Sequence, residues 1–330
     1  MVARAPVIAT RNSRRFKNLE PVTHARLGDL IKWGLTRSPG PWRAVTAPPG
    51  PPPQPRVSDM RVTLVGHSTV LVQCAGLNIL TDPVWSERVS PVRLAGPRRR
   101  RPPGLRLGDL PPIDIVLVSH DHYDHLDVPT LRRLAAHRPR VFTGLGNGRT
   151  IGACGLSARE MAWWGEAEHG GAHITFVPAQ HFSGRGLSDR DRTLWGGFFV
   201  RTDAGSFYFA GDTGWGQFFD DVRRRLGPPR LALLPIGGYK PRWFMSGVHI
   251  SPAEAVRAHE VLGARTSVAI HYGTFALADE GMDEPEADLE AALEAHRDAR
   301  FWVVPHGEGR DVPAAAGKAR RPASAPDRSR

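Results

Sequence analysis

The stretch that decides the fold runs from residue 115 to residue 127 and reads Ile-Val-Leu-Val-Ser-His-Asp-His-Tyr-Asp-His-Leu-Asp. Its first four residues, Ile115–Val118, predict a short buried strand, because a brief apolar run rich in β-branched side chains is typical of a strand inside a sheet. Three histidines and an aspartate follow in the spacing His-x-His-x-Asp-His. Several unpaired polar groups at the end of a buried strand cost free energy unless they bind a partner. The spacing therefore indicates a metal site.

The loop after this strand can supply ligands to two neighbouring metal positions. His120 and His122 are two residues apart, so their side chains fall on one side of an extended turn. Asp124 and His125 are adjacent and diverge from that pair. Imidazole and carboxylate ligands suit Zn²⁺, and they also suit iron or manganese. We expect two divalent metal ions, with zinc as the first choice.

Other short apolar runs predict further strands along the chain. They lie at 62–65, 70–73, 141–143, 174–177, 198–201, 207–210, 231–234 and 268–270, with a final strand at 301–304. Helices are predicted at 129–136, 252–262 and 286–297, and Ser251 suits the N-cap of the second, which begins at Pro252. Strands dominate the first half and helices are interleaved later, a pattern that favours two sheets with helices outside them.

Charge divides the chain into a neutral body and two basic ends. Residues 1–57 hold ten Lys or Arg and two Asp or Glu, and residues 311–330 hold five and two. The body, 58–310, holds 29 of each, although the whole chain has a formal charge of +11. We predict a catalytic domain at 58–310, preceded at 1–57 by a basic, partly disordered extension with a short helix near 21–36 and a proline-rich connector. A disordered basic tail is predicted at 311–330.

The basic ends suit an anionic surface, either a membrane or a nucleic acid, and they equally suit a solubilising role. The neutral body disfavours nucleic acid as a substrate. Cys74 and Cys154 are too few for a disulfide framework, so we expect both to be buried and free in a reducing cytoplasm. No apolar run approaches the roughly 18–20 residues of a membrane span. We expect a cytoplasmic protein that can attach peripherally to a membrane.

The body also carries motifs that resemble the metallo-β-lactamase fold, an α+β architecture in which two central mixed sheets flanked by helices form an αββα sandwich. Besides the histidine-rich loop, Pro-Ile-Gly-Gly-Tyr at 235–239 and His-Tyr-Gly-Thr-Phe at 271–275 resemble the branch of N-acylphosphatidylethanolamine-hydrolysing phospholipases D and their bacterial relatives. Residues 1–13 and 311–330 lie outside the resemblance. Further matching pieces are 65–70, 80–88, 178–182, 194–198, 209–214 and 248–252.

The resemblance implies a dinuclear site at one edge of the sandwich. Its seven ligands fall into two groups that share one aspartate: His120, His122 and His181 on the first metal, Asp124, His125 and His271 on the second, and Asp212 bridging both. The sequence agrees with this placement, because His181, Asp212 and His271 each follow a predicted strand. Strand ends are where layered folds of helices and sheets build ligand sites.

The resemblance also implies a reaction, in which a hydroxide held by the two metals attacks the substrate, with Asp124 and Asp212 as catalytic residues. The implied enzyme is a phosphodiesterase of phospholipase D type that acts on N-acylphosphatidylethanolamine-like lipids, and the implied assembly is a homodimer. Since a fold does not fix a function, hydrolysis of another small molecule, a lactone or a soluble phosphodiester, is the alternative. A nucleic-acid-processing enzyme is the third hypothesis.

Four polar residues are candidates for the surroundings of the metals. Asp82 and Asp127 are expected to accept hydrogen bonds from ligand imidazoles, a common arrangement around metals. His67 is a candidate for orienting a ligand or meeting substrate, and His249 for contacting or protonating substrate. For His67 and Asp82 a plain role in a turn is the alternative.

Aromatic residues near the motifs are candidates for substrate contact. Tyr239, Trp243 and Phe244 offer apolar surface that suits acyl chains, although most aromatic side chains simply belong to the core. The four arginines at 98–101 could meet a phosphate, and a solvated loop is the alternative reading of that run.

Overall fold

The protein is described from a computed structural model, which places residues 15–21, 27–92, 94–186 and 188–314. Residues 1–14 of the extension that was predicted to be partly disordered lie outside these ranges, as does the part of the predicted tail beyond residue 314. Within the described ranges, no helix is long and apolar enough to cross a membrane.

The first sheet has seven strands among the described residues. They are β1 Met60–Gly66, β2 Thr69–Cys74, β3 Leu77–Thr81, β4 Ile115–Val118, β5 Arg140–Gly144, β6 Ala158–Met161 and β14 Gly309–Asp311. Their order is β14-β1-β2-β3-β4-β5-β6. Pairing is antiparallel from β14 to β3 and parallel from β3 to β6, so the sheet is mixed.

In the part of the chain that the structure describes, the second sheet also has seven strands. They are β7 Glu166–His169, β8 Ala172–Val177, β9 Gly197–Thr202, β10 Gly205–Phe209, β11 Leu231–Pro235, β12 Thr266–Ile270 and β13 Phe301–Trp302. Their order is β13-β12-β11-β10-β9-β8-β7. It repeats the mixture of the first sheet, with antiparallel pairs from β7 to β10 and parallel pairs from β10 to β13.

Helices flank both sheets. They are α1 Leu27–Thr36, α2 Val128–Leu134, α3 Gly148–Gly152, α4 Phe218–Leu226, α5 Arg242–Met245, α6 Pro252–Leu262 and α7 Glu284–Glu294. α6 packs on β11 and against α4 and α7. Its N-cap is Ser251, as the sequence predicted, and Ser251 also forms a capping box with Glu254. The predicted sandwich of two mixed sheets between helical layers is confirmed.

Apolar side chains fill the space between the sheets. One buried cluster joins residues of both, for example Leu117 and Phe142 of the first with Phe176 and Phe207 of the second. A second cluster lies between the first sheet and α2 and α3. All four residues of β4 are buried because it packs on both faces, which explains its uninterrupted apolar sequence. Both cysteines are buried and free, as expected.

The ends of the body differ from the prediction. The last strand is β14, which pairs with β1, and it follows the strand that was predicted at 301–304. Val312 is buried, and its backbone N–H donates to the Met60 carbonyl at 2.9 Å, so ordered packing continues past residue 310. The proline-rich connector also packs on the body, because the Gly50 N–H donates to the Gly104 carbonyl at 2.7 Å.

Candidate metal centre

The seven predicted ligands lie together at the ends of four strands. His120 follows β4 of the first sheet, while His181, Asp212 and His271 come after β8, β10 and β12 of the second. Because the two sheets face each other, these strand ends meet at one edge of the sandwich. That edge holds the whole set.

Three histidines form the first group of donor atoms. His122 Nδ1 lies 2.8 Å from His120 Nε2 and 3.3 Å from His181 Nε2. His181 Nδ1 donates to the Val248 carbonyl at 3.0 Å, so its other ring nitrogen is free to bind a metal. These three nitrogens can reach a single ion.

Two histidines and two aspartates form the second group. Asp212 Oδ2 lies 3.1 Å from both His125 Nε2 and His271 Nε2. Asp124 Oδ2 lies 3.4 Å from the former and 3.5 Å from the latter. Since Asp212 Oδ2 is also 3.8 Å from His181 Nε2, this carboxylate stands between the two groups.

The residues of this edge fit divalent metal ions. His125 Nε2, His271 Nε2 and Asp212 Oδ1 are buried and have no hydrogen-bond partner among the described residues. Leaving such groups unsatisfied costs about 1–3 kcal/mol each. Imidazole nitrogens with carboxylate oxygens are the donors that Zn²⁺ and related ions bind. The cluster can therefore hold metal ions, and its donors suit zinc, iron and manganese alike.

The histidines of the first group are neutral near pH 7. Burial is the main cause, since it disfavours the charged imidazole. It lowers the pKa of His181 to about 3 and that of His122 to about 4, and it lowers the pKa of His120 well below the ordinary value. Their lone pairs are therefore available without the loss of a proton.

In the second group, the histidine pKa values are raised rather than lowered. Burial again acts to lower the histidine pKa values, but the carboxylates of Asp212 and Asp124 outweigh it. They raise the pKa of His271 to about 9 and that of His125 well above its ordinary value. Without a metal, the charged imidazoles and carboxylates of this half attract one another at 3.1–3.5 Å, although Nε2 of His125 and of His271 makes no aligned hydrogen bond among the described residues. A cation would replace the protons on these imidazoles.

Asp82 and Ser119 support two of the ligands from behind. Asp82 is fully buried, and its Oδ2 lies 2.6 Å from His125 Nδ1. The backbone N–H and the hydroxyl of Ser119 donate to Asp82 at 2.7 and 2.5 Å. Ser119 Oγ also lies 2.8 Å from His120 Nδ1. Asp82 is therefore where the sequence analysis expected it, against a ligand imidazole.

His67 and His249 border the second group. His67 Nε2 lies 2.9 Å from Asp124 Oδ2, and its backbone has a φ of 55°, which few residues other than glycine adopt. His249 Nδ1 lies 4.0 Å from Asp212 Oδ2, and its ring centroid is 5.1 Å from that of His181. Both side chains have a buried Nδ1 without a hydrogen-bond partner among the described residues. Both therefore adjoin the donor cluster.

Two predicted roles need correction. Asp127 contacts no ligand imidazole; it accepts hydrogen bonds from the Ser86 and Thr130 hydroxyls at 2.8 and 2.5 Å and joins the loop after β3 to α2. Tyr239 is buried, and its hydroxyl donates to Asp288 of α7, so this side chain belongs to the core rather than to a substrate surface.

The other two aromatic candidates lie nearer the surface. Trp243 is 47% exposed. The ring of Phe244 stacks on Trp33 of α1 with centroids 4.8 Å apart. Substrate contact by Trp243 and Phe244 stays a prediction. In the arginine run, Arg99 donates to the Val84 carbonyl at 2.8 Å and lies over the Phe275 ring, a structural role that favours the alternative to phosphate binding.

The sequence analysis missed residues that hold the metal loop from outside. Asp121 accepts from the Gly184 N–H at 2.7 Å and the Thr193 hydroxyl at 2.9 Å. Arg185 donates to the carbonyls of Asp121 and Leu126 at 2.6 and 2.8 Å. Asp121 stands inside the motif, and its charge was a usable signal. Nothing in the sequence around Arg185 marks it.

Comparison with known proteins agrees with this geometry. The sequence matches the beta-lactamase superfamily domain over residues 77–272. It is 42% identical over 268 residues to N-acyl-phosphatidylethanolamine-hydrolyzing phospholipase D 1 of Caenorhabditis elegans, covering 76% of this chain and 75% of the relative. It is 32% identical over 261 residues to a metal-dependent hydrolase of Methanoregula boonei, covering 77% and 99%.

A solved structure shares the fold. A metallo hydrolase from Ignicoccus hospitalis superposes with a TM-score of 0.57 at 24% identity, covering 76% of this chain and 97% of that one. The chain therefore belongs to the beta-lactamase superfamily and is a metal-dependent hydrolase. Within that superfamily it is similar to the N-acylphosphatidylethanolamine-hydrolysing phospholipases D.

Proposed function

We propose that the protein is a phosphodiesterase of phospholipase D type. It would add water to the phosphodiester of an N-acylphosphatidylethanolamine-like lipid, giving an N-acylethanolamine and a phosphatidic acid. The observation that carries the proposal is the 42% identity to a phospholipase D of this specificity across three quarters of both chains. The two adjoining groups of donor atoms support the chemistry that this reaction needs.

The proposed metal centre has one place for each of two ions, most suitably zinc. His120, His122 and His181 would hold the first, Asp124, His125 and His271 the second, and Asp212 would contact both. Two such ions would lower the pKa of a shared water toward about 7 and neutralise charge on the phosphate oxygens.

The chain's own residues set the charge and the orientation of this centre. Two aspartates face two dications, so the loaded site is net positive and attracts an anionic phosphodiester. Asp124 is held by His67 at 2.9 Å, which fixes its carboxylate beside His125 and His271. His249, with its free Nδ1 next to Asp212, is the candidate for meeting the substrate phosphate or the leaving alcohol.

Exposed apolar side chains on α1 and α5 support a lipid substrate. Leu30 and Ile31 of α1 and Trp243 of α5 are about half exposed, and Leu35 is 83% exposed. α1 and α5 are joined by the stacked rings of Trp33 and Phe244. Exposed apolar side chains on neighbouring helices suit contact with membranes or apolar ligands. Peripheral contact with a membrane, which the basic ends suit, and a homodimer, which only the family resemblance implies, are further parts of the proposal.

The test is hydrolysis of lipid vesicles by the full-length, zinc-loaded protein. Vesicles that contain N-acylphosphatidylethanolamine should release N-acylethanolamine and phosphatidic acid, read by mass spectrometry, and Asp212→Asn should abolish the release. A simple lactone and a soluble phosphodiester serve as comparison substrates. Turnover of either of these without any lipid product would contradict the proposal and favour the small-molecule alternative.

A further inference from the structure

The N-terminal segment 15–20 lies against the metal centre, although it precedes the region that matches the superfamily domain. Asn18 in this segment makes three hydrogen bonds with its side-chain amide. Its Oδ1 accepts from the backbone N–H of His181 at 3.1 Å and from the indole N–H of Trp195 at 3.0 Å. Its Nδ2 donates to the His181 carbonyl at 2.9 Å. One side chain thus binds both polar backbone groups of a proposed metal ligand.

His181 needs such a partner because of its place in the fold. It lies four residues beyond the end of β8, outside the regular pairing of the second sheet. A buried backbone N–H or C=O without a partner costs free energy comparable to a lost hydrogen bond. His181 is 1% exposed, so water does not supply that partner readily. The amide of Asn18 therefore does for this backbone what a neighbouring strand does inside a sheet.

Further contacts anchor the same segment to the loops that carry two ligands. The Phe16 N–H donates to the Asp191 carbonyl at 2.7 Å, in the loop that follows His181. The Gln217 N–H donates to Glu20 Oε1 at 2.5 Å, in the loop that follows Asp212. The Phe16 side chain packs against the main core. Segment 15–20 therefore bridges the loop of His181 and the loop of Asp212.

We propose that Asn18 is a positioning residue of the metal centre, acting on the first metal position through the backbone of His181. The N-terminal extension, predicted to lie outside the catalytic domain, is on this proposal part of the site. The proposal rests on the ligand assignment under Proposed function, and it goes beyond that assignment because it concerns neither substrate nor reaction. It holds for any divalent ion that the three histidines bind.

Metal titration of the full-length protein tests this. Wild type, Asn18→Leu and Asn18→Ala are titrated with Co²⁺ and with Zn²⁺ against a chelator, and the visible absorption of the cobalt forms is recorded. Leucine keeps the approximate size of asparagine and removes its hydrogen bonds. With either metal, we expect the ion at one of the two positions of the centre to bind about 10–100-fold more weakly in both variants, as is typical when a partner behind a ligand is lost. The ion at the other position should bind as in wild type.

The control is Lys17→Ala, because Lys17 is the exposed neighbour of Asn18. It should leave both affinities and the cobalt spectrum unchanged. Unchanged binding of both ions in Asn18→Leu would overturn the proposal. Equal weakening of both ions together with a lower melting temperature would also overturn it, because that pattern belongs to a general structural role. A wild-type protein that binds neither ion would instead overturn the ligand assignment, and this proposal with it.

Discussion

At the scale of the residue, Ser119 has one hydroxyl proton, and this proton determines how its neighbours are oriented. An ionised Asp82 can only accept, so Ser119 Oγ donates to it and is left to accept from the Nδ1–H of His120. Asp82 likewise accepts from the Nδ1–H of His125. Both imidazoles therefore turn Nε2 toward the donor cluster, as a metal requires.

Asp82→Asn tests this orientation. The carboxylate accepts from the Ser119 backbone N–H at one oxygen and from the Ser119 hydroxyl and His125 at the other. An amide has a single accepting oxygen, so its NH₂ group must face one of these donors, and the two imidazoles lose their fixed direction. We expect metal affinity to fall about 10–100-fold without a change of fold, measured by competition with a chelator. The control is Asp203→Asn on the exposed β9–β10 turn. Wild-type affinity in Asp82→Asn would show that the carboxylate has no such role.

Gly211 sets the backbone just before Asp212. Its φ is +63°, and a Cβ there would stand 2.7 Å from the Ser119 Cβ, closer than carbon atoms can approach. Gly211→Ala should therefore displace Ser119 and Asp212, weaken metal binding and lower the free energy of unfolding by about 1–3 kcal/mol. Gly227→Ala is the matched control, because its φ is +81° but a Cβ there meets nothing within 4 Å.

Both replacements carry the cost of a positive φ, but only the one at Gly211 meets a neighbouring atom. Equal losses of metal affinity in Gly211→Ala and Gly227→Ala would therefore contradict the steric argument. Chemical denaturation and chelator competition on the two purified variants give the comparison. Only Gly211→Ala should lose metal.

Single residues could be predicted where their neighbours in sequence carry the signal. Four ligands stand within six residues of one loop, and their spacing was enough to indicate a metal site. Asn18 could not be found in this way, because it meets His181 across 163 positions of the chain. Asp127 was misassigned for a related reason: a motif gives its neighbourhood but not the direction of its side chain.

At the scale of the element, the loop between β4 and α2 is fixed from both ends by the loop that follows β8. Arg185 spans it by binding the carbonyls of Asp121 and Leu126, and its guanidinium lies 4.0 Å from the centroid of the Tyr123 ring. Gly184 and Thr193 hold the Asp121 carboxylate from the same side. The two loops that carry His122 and His181 therefore form one unit.

Arg185→Met should separate these loops. Methionine keeps an apolar stem over Tyr123 but donates no hydrogen bond, so the backbone of 120–126 should open more often. We expect faster amide hydrogen exchange there and metal affinity lower by about tenfold or more, the range for partners behind ligands. Arg192→Met, an exposed position in the same loop, is the control. Unchanged amide hydrogen exchange in Arg185→Met would contradict the role of Arg185 in holding the two loops together.

A strand could be predicted where its burial requires a run of apolar residues in the sequence. β4, β8 and β12 are buried and were found from such runs. β6 and β7 read Ala-Arg-Glu-Met and Glu-Ala-Glu-His and are largely exposed edge strands, so they lack that pattern and were missed. Their pairing depends on backbone hydrogen bonds to neighbouring strands, which local sequence does not display.

At the scale of the whole molecule, the buried side chain of Arg230 joins the two sheets near the start of β1. Arg230 precedes β11 and is 6% exposed. It pairs with Asp59 before β1 and donates to the carbonyls of Ala204, Val312 and Pro313. It therefore connects the second sheet to the first strand of the first sheet and to the chain after β14.

Arg230→Met should lower the free energy of unfolding by about 1.5–3 kcal/mol or more, the value for hydrogen bonds to a charged group, since several acceptors lose their donor. Urea denaturation measures the change, and Arg300→Ala, an exposed arginine, is the control. Metal binding by the folded variant should stay as in wild type. A variant as stable as wild type would contradict the role given to Arg230.

The architecture at this scale followed from the sequence, since alternating apolar runs and helices favoured two sheets between helices. The basic ends did not reveal that residues 15–20 reach the site, because charge shows where a chain is solvated and not where it packs.

The most direct measurement is the metal content of the purified full-length protein, by elemental analysis, beside that of Asp212→Ala. A centre built from two donor groups that share Asp212 should hold about two divalent ions per chain in wild type. The variant should lose at least one of them and its hydrolytic activity. Wild type without bound metal after exposure to zinc, or an Asp212→Ala variant that keeps both ions and full activity, would contradict a dinuclear hydrolase.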